Sequence, residues 1–255
     1  RLAAYIEKSI ALKKRVKSAM IYPSVIVTVA VVVVTFLLIF VIPTFKSMFE
    51  GFGATLPLPT RIVLELSRLV RQYALLGLAM LIGLAIGLRY YYRTENGRKA
   101  IDSLLLKAPV FGILLRKVAV AKFTRTLGTL ISSGVAILDG LEITARTAGN
   151  KIVEDAIMKT RVSIAEGKTI AAPLKETTVF PPMVVQMIAV GEQTGALDSM
   201  LAKIADFYDE EVDTAVANLT SLLEPMLMVF LGVVIGGVVV AMYLPIFKLV
   251  TVVGK

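Results

Sequence analysis

Residues 225–247 read PMLMVFLGVVIGGVVVAMYLPIF, a run with no charged residue. At 1.5 Å per residue in an α-helix, it is long enough to cross a hydrocarbon core about 30 Å thick. A related stretch lies near the start of the chain, where residues 23–45 read PSVIVTVAVVVVTFLLIFVIPTF. A shift of 202 lays Pro23 on Pro225, Pro43 on Pro245, Phe45 on Phe247 and Lys46 on Lys248. The same shift pairs Val27, Val31 and Val32 with Val229, Val233 and Val234, and upstream it pairs Ala3 with Ala205 and Tyr5 with Phe207. Valine matches are cheap in valine-rich runs. Two prolines and a Phe-Lys pair in register mark an internal duplication.

The 255-residue chain is 56% hydrophobic, with a mean hydropathy of +0.79, well above a soluble domain. Three runs account for the excess. Ser24–Ile42 and Pro225–Phe247 are uncharged; Ala74–Leu88 is shorter, but Arg89 can snorkel and Tyr90, Tyr91 and Tyr92 suit an interface. Val31–Val34 would favour a strand in water, yet a long turn-free run in lipid must satisfy its own backbone, which selects helix. A cleaved signal peptide fits the first run poorly, because a basic helix precedes it and no small-residue cleavage site follows. The fold class predicted is an all-α integral membrane protein with three transmembrane helices and a cytoplasmic antiparallel bundle of about six helices. The repeat further predicts that a first, equivalent bundle is missing or truncated, since the second copy has residues 93–202 ahead of the point where Arg1 aligns with Lys203.

A net charge of +9 raises the question of nucleic acid. The basic residues form no single groove with stacking aromatics, so no nucleic-acid partner is expected. Six precede the first span (Arg1, Lys8, Lys13, Lys14, Arg15, Lys17), and Arg89, Arg93, Arg98 and Lys99 follow the second. This bias puts the N-terminus in the cytoplasm and the C-terminus outside. Lys46, Arg61, Arg68 and Arg71 moderate it. The expected organisation is the end of an N-terminal cytoplasmic domain (1–22), a span (23–42), an extracytoplasmic segment (43–73) and a second span (74–92). The second cytoplasmic bundle (93–224), a third span (225–247) and an extracytoplasmic tail (248–255) follow. Cysteine, histidine and tryptophan are absent, which excludes disulfides, thiolate and imidazole chemistry and Cys/His zinc sites. No catalytic residue, cofactor or metal is expected.

The bundle reads as helix after helix. Thr94 is a cap for a helix that stops before Pro109, a second helix ends at Gly134, a third at Gly149-Asn150 and a fourth at Gly167. A short helix near Ile170–Glu176, the break VFPP (179–182), a helix MVVQMIAV and the turn GEQTG (191–195) follow. In the last helix Leu197, Leu201, Ile204, Tyr208, Val212, Ala215, Leu219 and Leu222 make one apolar face that runs without a stop into Pro225. Pro225 removes the bond to the Ser221 carbonyl and should bend the helix there, as Pro23 should in the first span.

Other motifs are weaker. EGKTI (166–170) has the Gly-Lys-Thr of a phosphate loop, but Val162 stands where that loop needs glycine, so Gly167 reads as a helix stop. The pairs Gly83/Gly87 and Gly232/Gly236 are small-xxx-small motifs suited to helix packing. The acidic row that includes Asp206, Asp209 and Asp213 reads first as a solvated face, with a docking surface or cation site as alternatives. No ionisable residue lies inside a span; Glu224 is the nearest, at the edge, and its repeat counterpart is Tyr22.

The blocks KSAMIYPSV, IPTFKSMFEGFGATLPLPT, FTRTLGTLISSGVAILDGLEITARTAGN, VFPPMVVQMIAVGEQTGALDSMLAKIADFYDEEV and LLEPMLMVFLGVVIGGVVVAMYLPIF cover most of the chain. They resemble the inner-membrane platform proteins of type IV pilus assembly and type II secretion, the PilC/GspF family. The resemblance implies two cytoplasmic helical-bundle domains, each followed by a membrane segment, in the bacterial inner membrane. It implies a non-enzymatic role, coupling a cytoplasmic hexameric assembly or retraction ATPase to insertion or removal of pilin or pseudopilin subunits. Further implied partners are other inner-membrane alignment subunits, membrane lipid and further copies of the chain. Gly191, Glu192 and Gly195 and the pair Glu224-Pro225 match the family's marked positions. Together with Pro23, Pro43, Pro245, Asp206 and Asp209 they are the candidate contact or coupling residues. A passive scaffold that only recruits the ATPase and a small-solute permease subunit are the alternatives; the second would need polar or broken spans.

Overall fold

The computed structural model describes residues 2–45, 57–109, 111–177 and 179–253. Arg1, Lys46 with the outer segment 46–56, and the last two residues of the predicted tail lie outside them. Every regular element among the described residues is helical. Two compact units are formed. One gathers Arg89–Leu219 with the N-terminal stretch up to Ala19, and the other gathers Met20–Leu88 with the chain from Thr220 onward.

In the first unit, α3 (Glu95–Lys107) starts where Thr94 Oγ1 accepts from the Gly97 N–H at 3.1 Å. Gly97 is required there: a Cβ would lie 2.0 Å from the Tyr91 carbonyl oxygen. Then come α4 (Phe111–Ser132), α5 (Ile137–Thr147), α6 (Lys151–Ala165), α7 (Ala171–Lys175), α8 (Pro182–Thr194) and α9 (Leu197–Val253). The stops fall where the glycines predict them, with positive φ at Gly134, Gly149, Gly167 and Gly195. Asn150 caps α6 by accepting from the Ile152 and Val153 N–H groups. The core holds Phe123, Leu127, Leu141, Ile157, Leu174, Ile188, Leu201 and Ile204, all fully buried, with Phe180 edge-on to Phe123 at 4.9 Å. Of the apolar face predicted on the last helix, Leu201, Ile204, Tyr208, Val212 and Leu219 are buried, and Leu222 is 64% exposed. The GEQTG segment differs from expectation. Helix α8 runs through Thr194, so Gly191 and Glu192 are helical and only Gly195 makes the turn.

The second unit contains α1 (Leu2–Phe36) from Met20 on, its continuation through one π-turn (Leu37–Val41) into residues 42–45, α2 (Leu58–Tyr92) up to Leu88, and α9 beyond Leu219. Helix α2 begins sixteen residues ahead of Ala74, so residues 58–73 are the first half of one helix with the second span. One face of that half is buried: Thr60 and Ser67 are buried, and Val63, Leu64 and Val70 pack on a cluster of Leu38, Ile42 and Val238. Among the described residues, three helical stretches are long and apolar enough to cross a membrane: Met20–Phe45, Leu58–Tyr92 and Leu197–Pro245.

Candidate functional site

The residues singled out by sequence fall in three places. At the α8–α9 junction, a Cβ on Gly191 would meet the Met200 side chain at 3.0 Å and the Leu197 Cα at 3.1 Å. Glycine is what lets α8 rest on the first turns of α9. Gly128 of α4, which sequence reading missed, does the same from another side, its Cβ position lying 3.1 Å from the Leu201 Cβ. Glu192 reaches away from this contact, and both its carboxylate oxygens accept from the Ile170 N–H, at 2.9 and 3.1 Å. It thereby ties the start of α7 to α8. Gly195, at φ 70, turns the chain into α9.

The acidic row differs from a solvated face. Arg125 Nη2 of α4 donates to Asp206 Oδ1 and Asp209 Oδ2, both at 2.6 Å, and Lys117 Nζ donates to Glu211 Oε2 at 2.6 Å. Asp206 and Asp209, with Glu211 beside them, therefore tie α9 to α4, with Asp206 still 60% exposed along its side chain. Burial works against the charge on Arg125, but the hydrogen bonds it donates to Asp206 and Asp209 outweigh that and hold the guanidinium's proton more tightly than usual.

A second polar hub was missed by sequence reading. Asp102 of α3 is buried, yet it accepts from the Lys151 backbone N–H at 2.6 Å and from the Tyr92 hydroxyl at 3.0 Å. The carboxylate thus sits on the N-terminus of α6, where the helix dipole favours negative charge, and holds the last residue of α2. Arg98 lies 3.9 Å from Asp102 and 3.3 Å from Glu154, while Lys151 Nζ bonds Glu154 at 2.9 Å and Asp155 at 3.1 Å. The available signal was a carboxylate four residues before the buried Leu106, on the inward row of α3.

The prolines lie inside unbroken helix. Pro23 is buried within α1, and Pro225 and Pro245 are both interior to the 57-residue α9, exposed and buried respectively. Pro43 lies one residue beyond Ile42, the cap of the π-turn, and is half-buried, and Glu224 is exposed. Both faces of the predicted glycine pairs are open: a Cβ on Gly83, Gly87, Gly232 or Gly236 meets nothing within 4 Å. Among the described residues, those pairs make no close helix contact.

Comparison with known proteins gives the same outline. The family model described as type II secretion system (T2SS), protein F, matches residues 1–43 and 123–245. The two matches end on Pro43 and Pro245, the prolines that the repeat superposes. The chain is 56% identical over 249 residues to type IV pilus assembly protein PilC of Myxococcus xanthus, covering 98% of this chain and 60% of that protein. It is 46% identical over 251 residues to PilC of Thermus thermophilus, covering 98% of this chain and 62% of that one. It is 34% identical over 254 residues to type II secretion system protein F of Pseudomonas aeruginosa, with 100% of this chain and 63% of the relative aligned. The chain thus spans roughly three fifths of the length of these curated relatives. With a family model that matches twice and covers most of its residues, and relatives that align over 98% and 100% of this chain, the chain belongs to the type II secretion system protein F family.

Proposed function

We propose that this chain forms part of an inner-membrane platform in a type IV pilus assembly or type II secretion machine. Its N-terminus lies in the cytoplasm and its C-terminus in the periplasm. It catalyses nothing; it passes motion from a cytoplasmic hexameric ATPase to pilin or pseudopilin subunits entering or leaving the fibre. The observation that carries this reading is α9. One helix supplies the bundle core at Leu201, Ile204 and Val212 and continues without a break through residues 219–228 into the apolar run. A displacement of the bundle therefore has a helical path into the membrane, and Pro225, which cannot close the bond to the Ser221 carbonyl, is where that path gives.

Insertion of a flexible Gly-Ser segment between Leu222 and Leu223 tests it. Coupling predicts loss of surface fibres with the ATPase still recruited to the membrane. Normal fibres would favour passive recruitment and sink the lever. Pro225→Ala, which restores the missing hydrogen bond, should lower fibre assembly without affecting recruitment. Deletion of the gene, scored for surface pili and twitching against release of secreted protein, separates the two machines.

A further inference from the structure

Pro43 and Pro245 occupy the same place in the two copies of the repeat, and each deprives its helix of one backbone donor. In α9 the N–H of residue 245 would bond the Ala241 carbonyl; proline has none. Around Pro43 the helix has slipped into π-register, with the Ile42 N–H bonded to the Leu37 carbonyl five residues back. In that register the Leu38 carbonyl would be served by residue 43, again a proline. Both orphaned carbonyls are nonetheless satisfied, and by the same helix. Thr60 Oγ1 of α2 donates to the Ala241 oxygen at 2.6 Å, and Ser67 Oγ of α2 donates to the Leu38 oxygen. Thr60 and Ser67 are the buried polar residues of α2, seven positions apart and so on one face, with Val63, Leu64 and Val70 beside them.

We propose that the first half of α2 is a strap that registers the ends of the two duplicated spans, with Thr60 and Ser67 as positioning residues keyed to the carbonyls freed by Pro245 and Pro43. Apolar side chains gain little from leaving lipid for one another, whereas an unpaired carbonyl in an apolar surround is costly. The two hydroxyls therefore decide where α2 sits along α1 and along α9. A shift of either span end must break a latch or carry the strap, and through it the other span, along. This device stands on the geometry of the membrane unit alone and does not depend on the platform reading.

The chain has no cysteine, so Leu64→Cys gives a single thiol at the edge of the strap, and its maleimide labelling rate in detergent micelles reads strap opening. Thr60→Ala and Ser67→Ala should each raise that rate about threefold to fifteenfold. Thr60→Ser and Ser67→Thr, which keep the hydroxyl, should leave it near the parent value. The deciding measurement is the cycle with proline. In Pro245→Ala a backbone N–H takes over the Ala241 carbonyl, so Thr60→Ala should then raise labelling less than twofold. Pro43→Ala should cancel the effect of Ser67→Ala in the same way, and the crossed combinations should keep the full effect. Equal sensitivity to loss of the hydroxyl with proline and with alanine would overturn the proposal. So would hydroxyl-keeping variants that label as fast as the alanine ones.

Discussion

Helix α9 is one element in two solvents, and its halves are held by different forces. From Leu201 to Leu219 it presents buried Leu201, Ile204, Ala205, Tyr208, Val212 and Leu219 to the bundle core. Beyond Pro225 most of its described large side chains are exposed, and among the described residues Val238, Ala241 and Pro245 are the buried ones. In water, apolar burial is the main driving force, at about 25 cal/mol per Å². In lipid that term nearly vanishes, so packing and polar contacts decide which helix lies where. The bundle half accordingly carries its specificity in side-chain volume and ion pairs. The membrane half carries it in backbone carbonyls left open by proline.

The largest contrast should come from trimming one side chain on each half. Leu201→Ala should destabilise the bundle by about 2–5 kcal/mol, read as loss of helix in urea titrations of the micelle-held protein. Val238→Ala should cost under about 1 kcal/mol, because lipid tails replace most of the lost contacts. Comparable losses would mean that burial works alike in both halves.

Arg125→Met comes next. It leaves Asp206 and Asp209 facing each other on α9 without the cation that bridges them. The same titration should show a loss of about 2 kcal/mol, below the fully buried case because Asp206 is largely exposed. Adding Asp206→Asn and Asp209→Asn should recover part of it. Failure to recover would assign the loss to packing of the arginine stem.

A glycine-to-alanine pair sharpens the comparison further. At Gly191 the new methyl meets Met200 at 3.0 Å and the Leu197 backbone at 3.1 Å, so overpacking should cost about 1–2 kcal/mol. At Gly236 it meets nothing, and the unfolding midpoint of the isolated chain should stay within about 1 kcal/mol of the parent. If Gly236→Ala lowers fibre assembly at unchanged chain stability, the open glycine face is where another helix docks.

What the sequence disclosed follows the same division. Stops at Gly134, Gly149 and Gly167, the Thr94 cap and the apolar row through Leu201, Ile204 and Val212 are local or periodic signals, and they were legible. Helix α2 was legible only from Ala74, because Arg61, Glu65, Arg68 and Arg71 broke the hydropathy of its first half. Those charges are all exposed, while Thr60, Val63, Leu64, Ser67 and Val70 turn inward, so the period was present and the mean concealed it. Arg125, Asp102 and the π-turn were hidden for another reason. Each is defined by a partner far along the chain: Arg125 by Asp206 and Asp209, Asp102 by the N-terminus of α6, and the Leu38 carbonyl by Ser67. Of the candidate coupling residues, Gly195 is explained by the local turn, while Glu192 is explained by its bond to the distant Ile170 N–H. The Leu38 and Ala241 carbonyls that Pro43 and Pro245 free gain partners that no single stretch of sequence announces.

Alkali gives the smallest and most selective effect. The Lys151 ammonium is held above the ordinary lysine value by hydrogen bonds to Glu154 and Asp155, so the folded bundle binds its proton more tightly than the unfolded chain. That stabilisation is fully present below the unfolded value of about 10.4 and drains away as the pH rises through the higher folded value. The loss caused by Lys151→Met should therefore be the same at pH 6 and pH 8 and shrink above pH ~10.5. The latches of the membrane half contain only hydroxyls and carbonyls, which hold no proton to release at these pH values. Strap opening, read by maleimide labelling between pH 6 and pH 8, should show equal ratios of Thr60→Ala to parent at both ends, since thiolate formation at Leu64→Cys cancels in the ratio. The charges the strap does carry, Arg61, Glu65, Arg68 and Arg71, are exposed and off its buried face. A ratio that drifts with pH would therefore mean that a group titrating between pH 6 and pH 8 acts on the latches, and would end the separation between ion pairs in one half and neutral dipoles in the other.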